Sequence, residues 1–110
     1  MRPDYPFFAV VPVLDSVTPP LVLIIGPVDP SGADGLPADA VSCARLGCHA
    51  LAAVTALTVQ DTVNVSDFRV LDREWVLAQA NAVLADLPVA AVKLGMLGSL
   101  EMVDTVAEIL

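Results

Sequence analysis

Residues 21–47 read LVLIIGPVDPSGADGLPADAVSCARLG, and this stretch decides the fold. Leu21-Val22-Leu23-Ile24-Ile25 is an unbroken apolar run stopped by Gly26-Pro27. Consecutive apolar residues without alternation indicate a strand buried on both faces. Gly26 to Gly35 is dense in turn-forming residues and reads as a loop. Leu36, Ala40, Cys43, Ala44 and Gly47 then recur at helical spacing, with Asp39, Ser42 and Arg45 facing the other way. Pro37 suits a first helical turn, where its missing N–H costs nothing, and Gly47 suits the stop.

This strand–loop–helix unit recurs twice. Ala50 to Val59 (ALAAVTALTV) predicts a second strand. Gln60 to Val70 predicts a connection, with room for a short strand at Thr62–Val65. Asp72 is the expected cap of a helix over Arg73–Ala85, whose inward stripe is Val76, Ala80, Val83, Leu84 and Leu87. Val89 to Leu97 predicts a third strand. Ser99 is the expected cap of a third helix, with Leu100, Val103, Ala107 and Leu110 inward and Glu101, Asp104 and Glu108 outward. The order β-α-β-α-β-α predicts an α/β fold: a three-layer α/β/α arrangement around a mostly parallel sheet with right-handed crossovers. Ligands on such sheets bind beyond the carboxyl ends of the strands. Those ends are Gly26–Gly35, Val59–Thr62 and Gly95–Gly98. Three strands leave an apolar edge unpaired, which predicts association and the shape of half a domain.

Composition narrows the class further. The chain has 110 residues, the size of one domain, of which 56% are hydrophobic and 16% charged. That is too apolar for a disordered chain. Thirteen acids against five bases give a net charge of −8, which excludes a basic nucleic-acid footprint. The longest uncharged stretch near the middle, Leu46 to Gln60, spans 15 residues, short of the roughly 20 that cross a membrane. No secretory leader pattern is read at the start, so a cytoplasmic protein is expected. Cys43 and Cys48 are expected to be reduced and packed, and His49, the single histidine, to sit at the edge of a packed element. No metal site is expected. Residues 1–20 carry five of the nine prolines and read as an N-terminal extension to a body at 21–110. Phe7 to Leu14 within it has the composition of an edge strand.

Several phosphate and metal motifs are excluded. Gly26 and Gly32 have no lysine near them, since the single lysine is Lys93, so no P-loop is present. The glycine spacing of a dinucleotide fold is absent, and a calcium loop starting at Asp29 fails because Asp34 and Ala40 occupy its glycine and bidentate-acid positions. One histidine gives no basis for a Ser/His/Asp triad.

What remains is GPVDPSGADG-L-PAD (26–39), ARLG (44–47), TALTVQDT (55–62) and KLGML (93–97). In this order and spacing the chain resembles the N-terminal half of the hydroxymethylpyrimidine/phosphomethylpyrimidine kinases of thiamine biosynthesis, in the ribokinase-like superfamily. Members read close to AGSDPSGGAG-x-QAD, a helix ending in ALG, then TALTAQNT and KIGML. The resemblance covers about residues 21–110. It implies ATP- and Mg²⁺-dependent phosphorylation of hydroxymethylpyrimidine or its phosphate, on a partial ribokinase-like fold. It further implies that Gln60 bonds the pyrimidine ring edge with Thr58 beside it, that Met96 packs on the ring, and that the Gly26–Gly35 loop, with Asp29, closes over the substrate. Read from the residues alone, Met96 equally serves as core at a strand end, Asp29 as a turn cap and Gln60 as a partner for loop backbone.

The chain departs from the family pattern in the pocket. Pro27 stands at a glycine whose backbone approaches the ring, Asp34 at a substrate-contacting alanine and Asp61 at the asparagine of QNT. The added carboxylates are expected to repel a phosphomonoester. The family's nucleotide site, glycine-rich anion hole and catalytic residue belong to its second half, and their motifs do not occur in these 110 residues. No catalytic residue is therefore assigned, and inactivity of the chain alone is expected. Expected partners are a pyrimidine ligand and either further copies of the chain or a complementary C-terminal half. The alternative is a non-catalytic module, derived from the same fold, that binds a small ligand or oligomerises.

Overall fold

A computed structural model describes residues 18–110. The expected edge strand at Phe7–Leu14, and nearly all of the 1–20 extension, lie outside the described residues.

The apolar run forms β1, Leu21–Val28, at the centre of the sheet. Leu23, Ile24 and Ile25 are buried on both faces, as a non-alternating strand requires. Each such side chain contributes about 1.5–3 kcal/mol through burial. Helix α1, Gly35–Arg45, follows, then β2, His49–Gln60. Next come β3, Val65–Val70, α2, Arg73–Asp86, β4, Val89–Leu94, and α3, Leu100–Ile109. The sheet order is β3-β2-β1-β4. β1 runs parallel to β2, with Leu23 opposite Leu51, and parallel to β4, with Leu23 opposite Val92. β3 runs antiparallel to β2, with Thr58 opposite Phe68.

On one face, Leu23, Ile25 and Ala53 of the sheet meet Ala80 of α2 and Val106 of α3, bordered by Leu51, Val83, Val89, Leu97 and Ile109. Helix α1 packs on β1 and β2 from the opposite face. The result is a three-layer α/β/α sandwich with a mostly parallel sheet. Among the described residues, no helix is long and apolar enough to cross a membrane.

Four details differ from expectation. The segment read as a connection contains a full strand, β3, making a hairpin with β2 rather than a short piece at Thr62–Val65. β1 does not stop at Gly26-Pro27. The register shifts there and pairing continues to Val28, because a bulge accommodates a residue without an N–H. β4 ends at Leu94 instead of Leu97, and Gly95 donates its N–H to the Ile25 carbonyl at 2.8 Å.

The fourth difference concerns which helix faces are covered. In α3, Met102 and Val106 are 1% and 3% exposed, whereas Leu100 and Leu110 are 85% and 72% exposed. The helix carries two apolar stripes, and Met102, Thr105, Val106 and Ile109 are the one turned inward. Thr105 can be buried because its hydroxyl donates to the Glu101 carbonyl at 2.9 Å. Of the α1 stripe only Leu36 is buried; Ala40, Ala44 and Gly47 face solvent. Ser99 caps α3 as expected, accepting the Met102 N–H at 3.1 Å, while Asp72 precedes α2 without a side-chain capping bond.

One fold contact had no signal in the sequence. β2 pairs with β3 only from Ala56 onward, leaving Val54 without a strand neighbour on that side. The Gln79 amide of α2 takes its place: Oε1 accepts the Val54 N–H at 2.9 Å and Nε2 donates to its carbonyl at 3.0 Å.

Candidate functional site

The carboxyl ends of β1, β2 and β4 lie side by side, and cross-links between them set the geometry of the site. The Thr55 hydroxyl, fully buried, donates to the Met96 carbonyl at 3.2 Å. The Thr58 hydroxyl donates to the Val28 carbonyl at 2.8 Å, and Gln60 Nε2 donates to the Thr58 hydroxyl at 2.9 Å. Gly26 and Gly95 permit the close approach of β1 and β4. A Cβ on Gly95 would stand 3.3 Å from both the Gly26 Cα and the Pro27 Cδ.

The loop after β1 is organised by Asp29. Its buried carboxylate accepts the Ser31 N–H at 2.8 Å, the Ser31 hydroxyl at 2.8 and 2.9 Å, and the Asp34 N–H at 3.0 Å. Burial pushes this carboxyl up, but the hydrogen bonds from Ser31, Asp34 and Ala33 outweigh it and hold it below its ordinary 3.8. Asp34 caps α1, its Oδ1 accepting the Gly35 N–H at 2.8 Å. Gly35 has φ +66, and a Cβ there would lie 2.6 Å from the Pro27 carbonyl oxygen, so this position admits only glycine without rearrangement.

These elements enclose a cavity of about 330 Å³. All six residues singled out in the sequence, Pro27, Asp29, Asp34, Thr58, Gln60 and Met96, line it. Gly35, Val65 and Phe68 complete the lining. Val65 and Phe68 sit on β3 and escaped sequence reasoning because the hairpin itself was unrecognised. The pairing of Phe68 with Thr58 and of Val65 with Gln60 brings them to the same side of the sheet. Phe68 and Met96 are both 51% exposed.

The polar groups divide by role. Asp29 is engaged by its own loop, which matches the turn-capping alternative. Asp61 does not line this cavity. Its Oδ1 accepts the N–H groups of Val63 and Asn64, each at 2.8 Å, closing the hairpin turn. Those bonds, Asn64's first, hold its carboxyl below its ordinary 3.8. An adjoining depression of about 200 Å³ joins Asp61 to Asp29, Asp34 and Gln60. Among the described residues, no cation lines either hollow. Lys93 pairs with Asp39 at 2.8 Å, and Arg73 pairs with Glu108. Among the described residues, no three His, Cys, Asp or Glu side chains are grouped to hold a metal ion.

The arrangement suits a small, flat, weakly polar molecule. The volume fits a single substituted ring, at the low end of small-molecule sites. Gln60 and Thr58 offer hydrogen bonds at its edge, while Met96 and Phe68 offer polarisable and aromatic faces.

Comparisons with known proteins agree with this fold. A family model described as phosphomethylpyrimidine kinase matches residues 29–110. The hydroxymethylpyrimidine/phosphomethylpyrimidine kinase of Mycobacterium tuberculosis is 46% identical over 91 residues, covering 83% of this chain and 33% of its own length. The chain thus spans about a third of the length of the curated relatives it matches. Crystalline phosphomethylpyrimidine kinase from Clostridium difficile superposes with a TM-score of 0.78 at 32% identity, covering 82% of this chain and 39% of the other. Pyridoxal kinase from Staphylococcus aureus in complex with AMP-PCP superposes with a TM-score of 0.74 at 29% identity, covering 84% of this chain and 34% of the other.

Proposed function

Because the chain belongs to the phosphomethylpyrimidine kinase family, we propose that it is the substrate-binding part of such a kinase and that its cavity holds a hydroxymethylpyrimidine. The observation carrying this reading is the convergence of Gln60, Thr58 and Met96 with the Pro27–Gly35 loop on one cavity of about 330 Å³. Gln60 bonds the ring edge, its carbonyl being free to accept while its Nε2 is held by Thr58. Met96 and Phe68 pack on the ring faces. The Asp29-organised loop fixes the wall against which the hydroxymethyl group lies.

The family uses ATP, and an ATP analogue accompanies the pyridoxal kinase relative. The residues present here do not fit a triphosphate with Mg²⁺. Among the described residues, the cavity is bordered by Asp29 and Asp34, with no cation and no glycine-rich anion cradle, whereas phosphoryl transfer needs positive or N–H stabilisation of the transferring group. Nucleotide binding and catalysis are therefore assigned to residues beyond these 110, in a complementary C-terminal half acting with this part in the cytoplasm. A second reading, a module that binds without catalysis, is favoured by Pro27 and Asp34 on the cavity wall.

Calorimetric titration with hydroxymethylpyrimidine, paired with an ATP-turnover assay, tests the reading. Micromolar binding by the wild type, weakened about tenfold in Gln60→Ala by loss of one directed hydrogen bond, is the expected result. No turnover by the 110-residue chain alone is expected. Turnover by that chain overturns the assignment of catalysis to other residues, and absence of binding at millimolar ligand overturns the pyrimidine pocket.

A further inference from the structure

We propose that Cys43 and Cys48 form an intramolecular disulfide site, oxidised by a small-molecule disulfide of the glutathione class and reopened by thiols. The backbone at the end of α1 carries the argument. Leu46 caps the helix, Gly47 follows with φ +80, and two nested hydrogen bonds close the turn. The Cys48 N–H donates to the Cys43 carbonyl at 2.8 Å, and the Gly47 N–H donates to the Ala44 carbonyl at 3.1 Å. This is the glycine-terminated helix stop that brings the side chain three residues before the cap toward the side chain two residues after it. Here those two side chains are the two cysteines of the chain.

Distance permits the bond. Standard backbone lengths on either side of the 2.8 Å hydrogen bond hold the Cys43 and Cys48 Cα atoms within about 6.5 Å. Disulfides need roughly 4.4–6.8 Å between those atoms. Access permits it as well. Both cysteines are free and only partly buried, and the residues between them, Ala44 to Gly47, lie open to solvent.

The exchange balances with one external reagent. One cysteine thiolate attacks a sulfur of oxidised glutathione, the S–S bond of that molecule breaks, and one glutathione thiolate leaves. The second cysteine thiolate attacks the protein sulfur of the mixed disulfide and expels the other glutathione. Two protein thiols are oxidised, one external disulfide is reduced, and the two thiol protons end on the two glutathiones. The product ties the end of α1 to the residue that precedes β2. Thr58 and Gln60 stand at the other end of β2, so the bond lies away from the cavity, and its test is independent of the pyrimidine reading.

Intact-mass spectrometry of the full 110-residue chain, incubated with oxidised glutathione at mildly alkaline pH to supply thiolate, tests this with C43S and C48S beside the wild type. The wild type is expected to lose two hydrogens, about 2 Da, and both alkylatable thiols together. Trypsin cleavage after Arg45 is expected to leave the two flanking peptides joined until dithiothreitol parts them. Each serine variant is expected to stop with one glutathione attached. The closed chain is expected to melt a few degrees higher than the reduced one, because the cross-link restricts the unfolded chain. A wild type that keeps both thiols, stops at a mixed disulfide or links cysteines of two chains overturns the proposal. A bond that forms but lowers the melting temperature overturns the geometry ascribed to the turn.

Discussion

The two walls of the cavity are built on opposite principles. The wall from Pro27 to Gly35 is held by hydrogen bonds: Asp29 gathers Ser31 and Asp34, and Asp34 caps α1. The wall from Val65, Phe68 and Met96 is apolar and half open to solvent. The first wall spends its polar groups on its own backbone, so its shape is set before any ligand arrives. The second leaves apolar surface in water, which a flat ring would cover. Substitutions in the first wall should therefore act on stability, and those in the second on binding.

The largest effect expected is in the first wall. Gly35→Ala forces a side chain into the positive-φ region and against the Pro27 carbonyl oxygen, and should lower stability by about 2–4 kcal/mol in chemical denaturation. Retained stability would mean that the loop is not fixed as described. Next comes Gln79→Ala, outside both walls, on α2 against the strand β2 that carries Thr58 and Gln60. It strands the Val54 N–H and carbonyl, and should cost about 1–3 kcal/mol without changing ligand affinity.

Acid should act on the hydrogen-bonded wall through Asp29 and on the β2–β3 turn through Asp61. Asp29 and Asp61 both have carboxyls lowered from 3.8 in the folded chain. A group depressed on folding contributes stability that is complete above its unfolded value and is lost as pH falls through its folded value. Thermal melts should therefore be insensitive to these two groups at neutral pH, and the melting temperature should fall below about pH 4. Asp29→Asn should melt lower at neutral pH and show a smaller further loss in acid. An undiminished acid loss in that variant would remove Asp29 from the account.

The smallest effect on stability belongs to the open wall. Phe68→Ala should change folding stability by no more than about 0.5 kcal/mol, as at other exposed sites. It should nonetheless weaken hydroxymethylpyrimidine binding measurably by calorimetry. The reverse pattern would erase the distinction between the two walls.

How much of this was legible beforehand follows the same division. β1, β2 and β4 were readable because each is a nearly continuous apolar run, although β4, at the sheet edge, is exposed beyond Val89. The six cavity residues were readable only through the resemblance to the kinase family, whose motifs fall at the strand ends that this topology brings together. β3 was not, since Val65-Ser66-Asp67-Phe68-Arg69-Val70 is exposed along most of its length and shows no buried period. Phe68 stayed hidden with it. The α3 face was undecidable locally: Leu100, Val103, Ala107 and Leu110 form as good an apolar stripe as Met102, Thr105, Val106 and Ile109, and only packing against α2 and the sheet chooses. Gln79 was unreadable for a related reason, because its partner is a backbone gap created by where β3 ends.

The most direct test of the pocket is nuclear magnetic resonance of the 110-residue chain titrated with hydroxymethylpyrimidine, following the Gln60 side-chain amide and the Met96 methyl. Both signals should move together and saturate at one ligand per chain. Saturable shifts that leave Gln60 and Met96 untouched while appearing elsewhere on the surface would contradict the account.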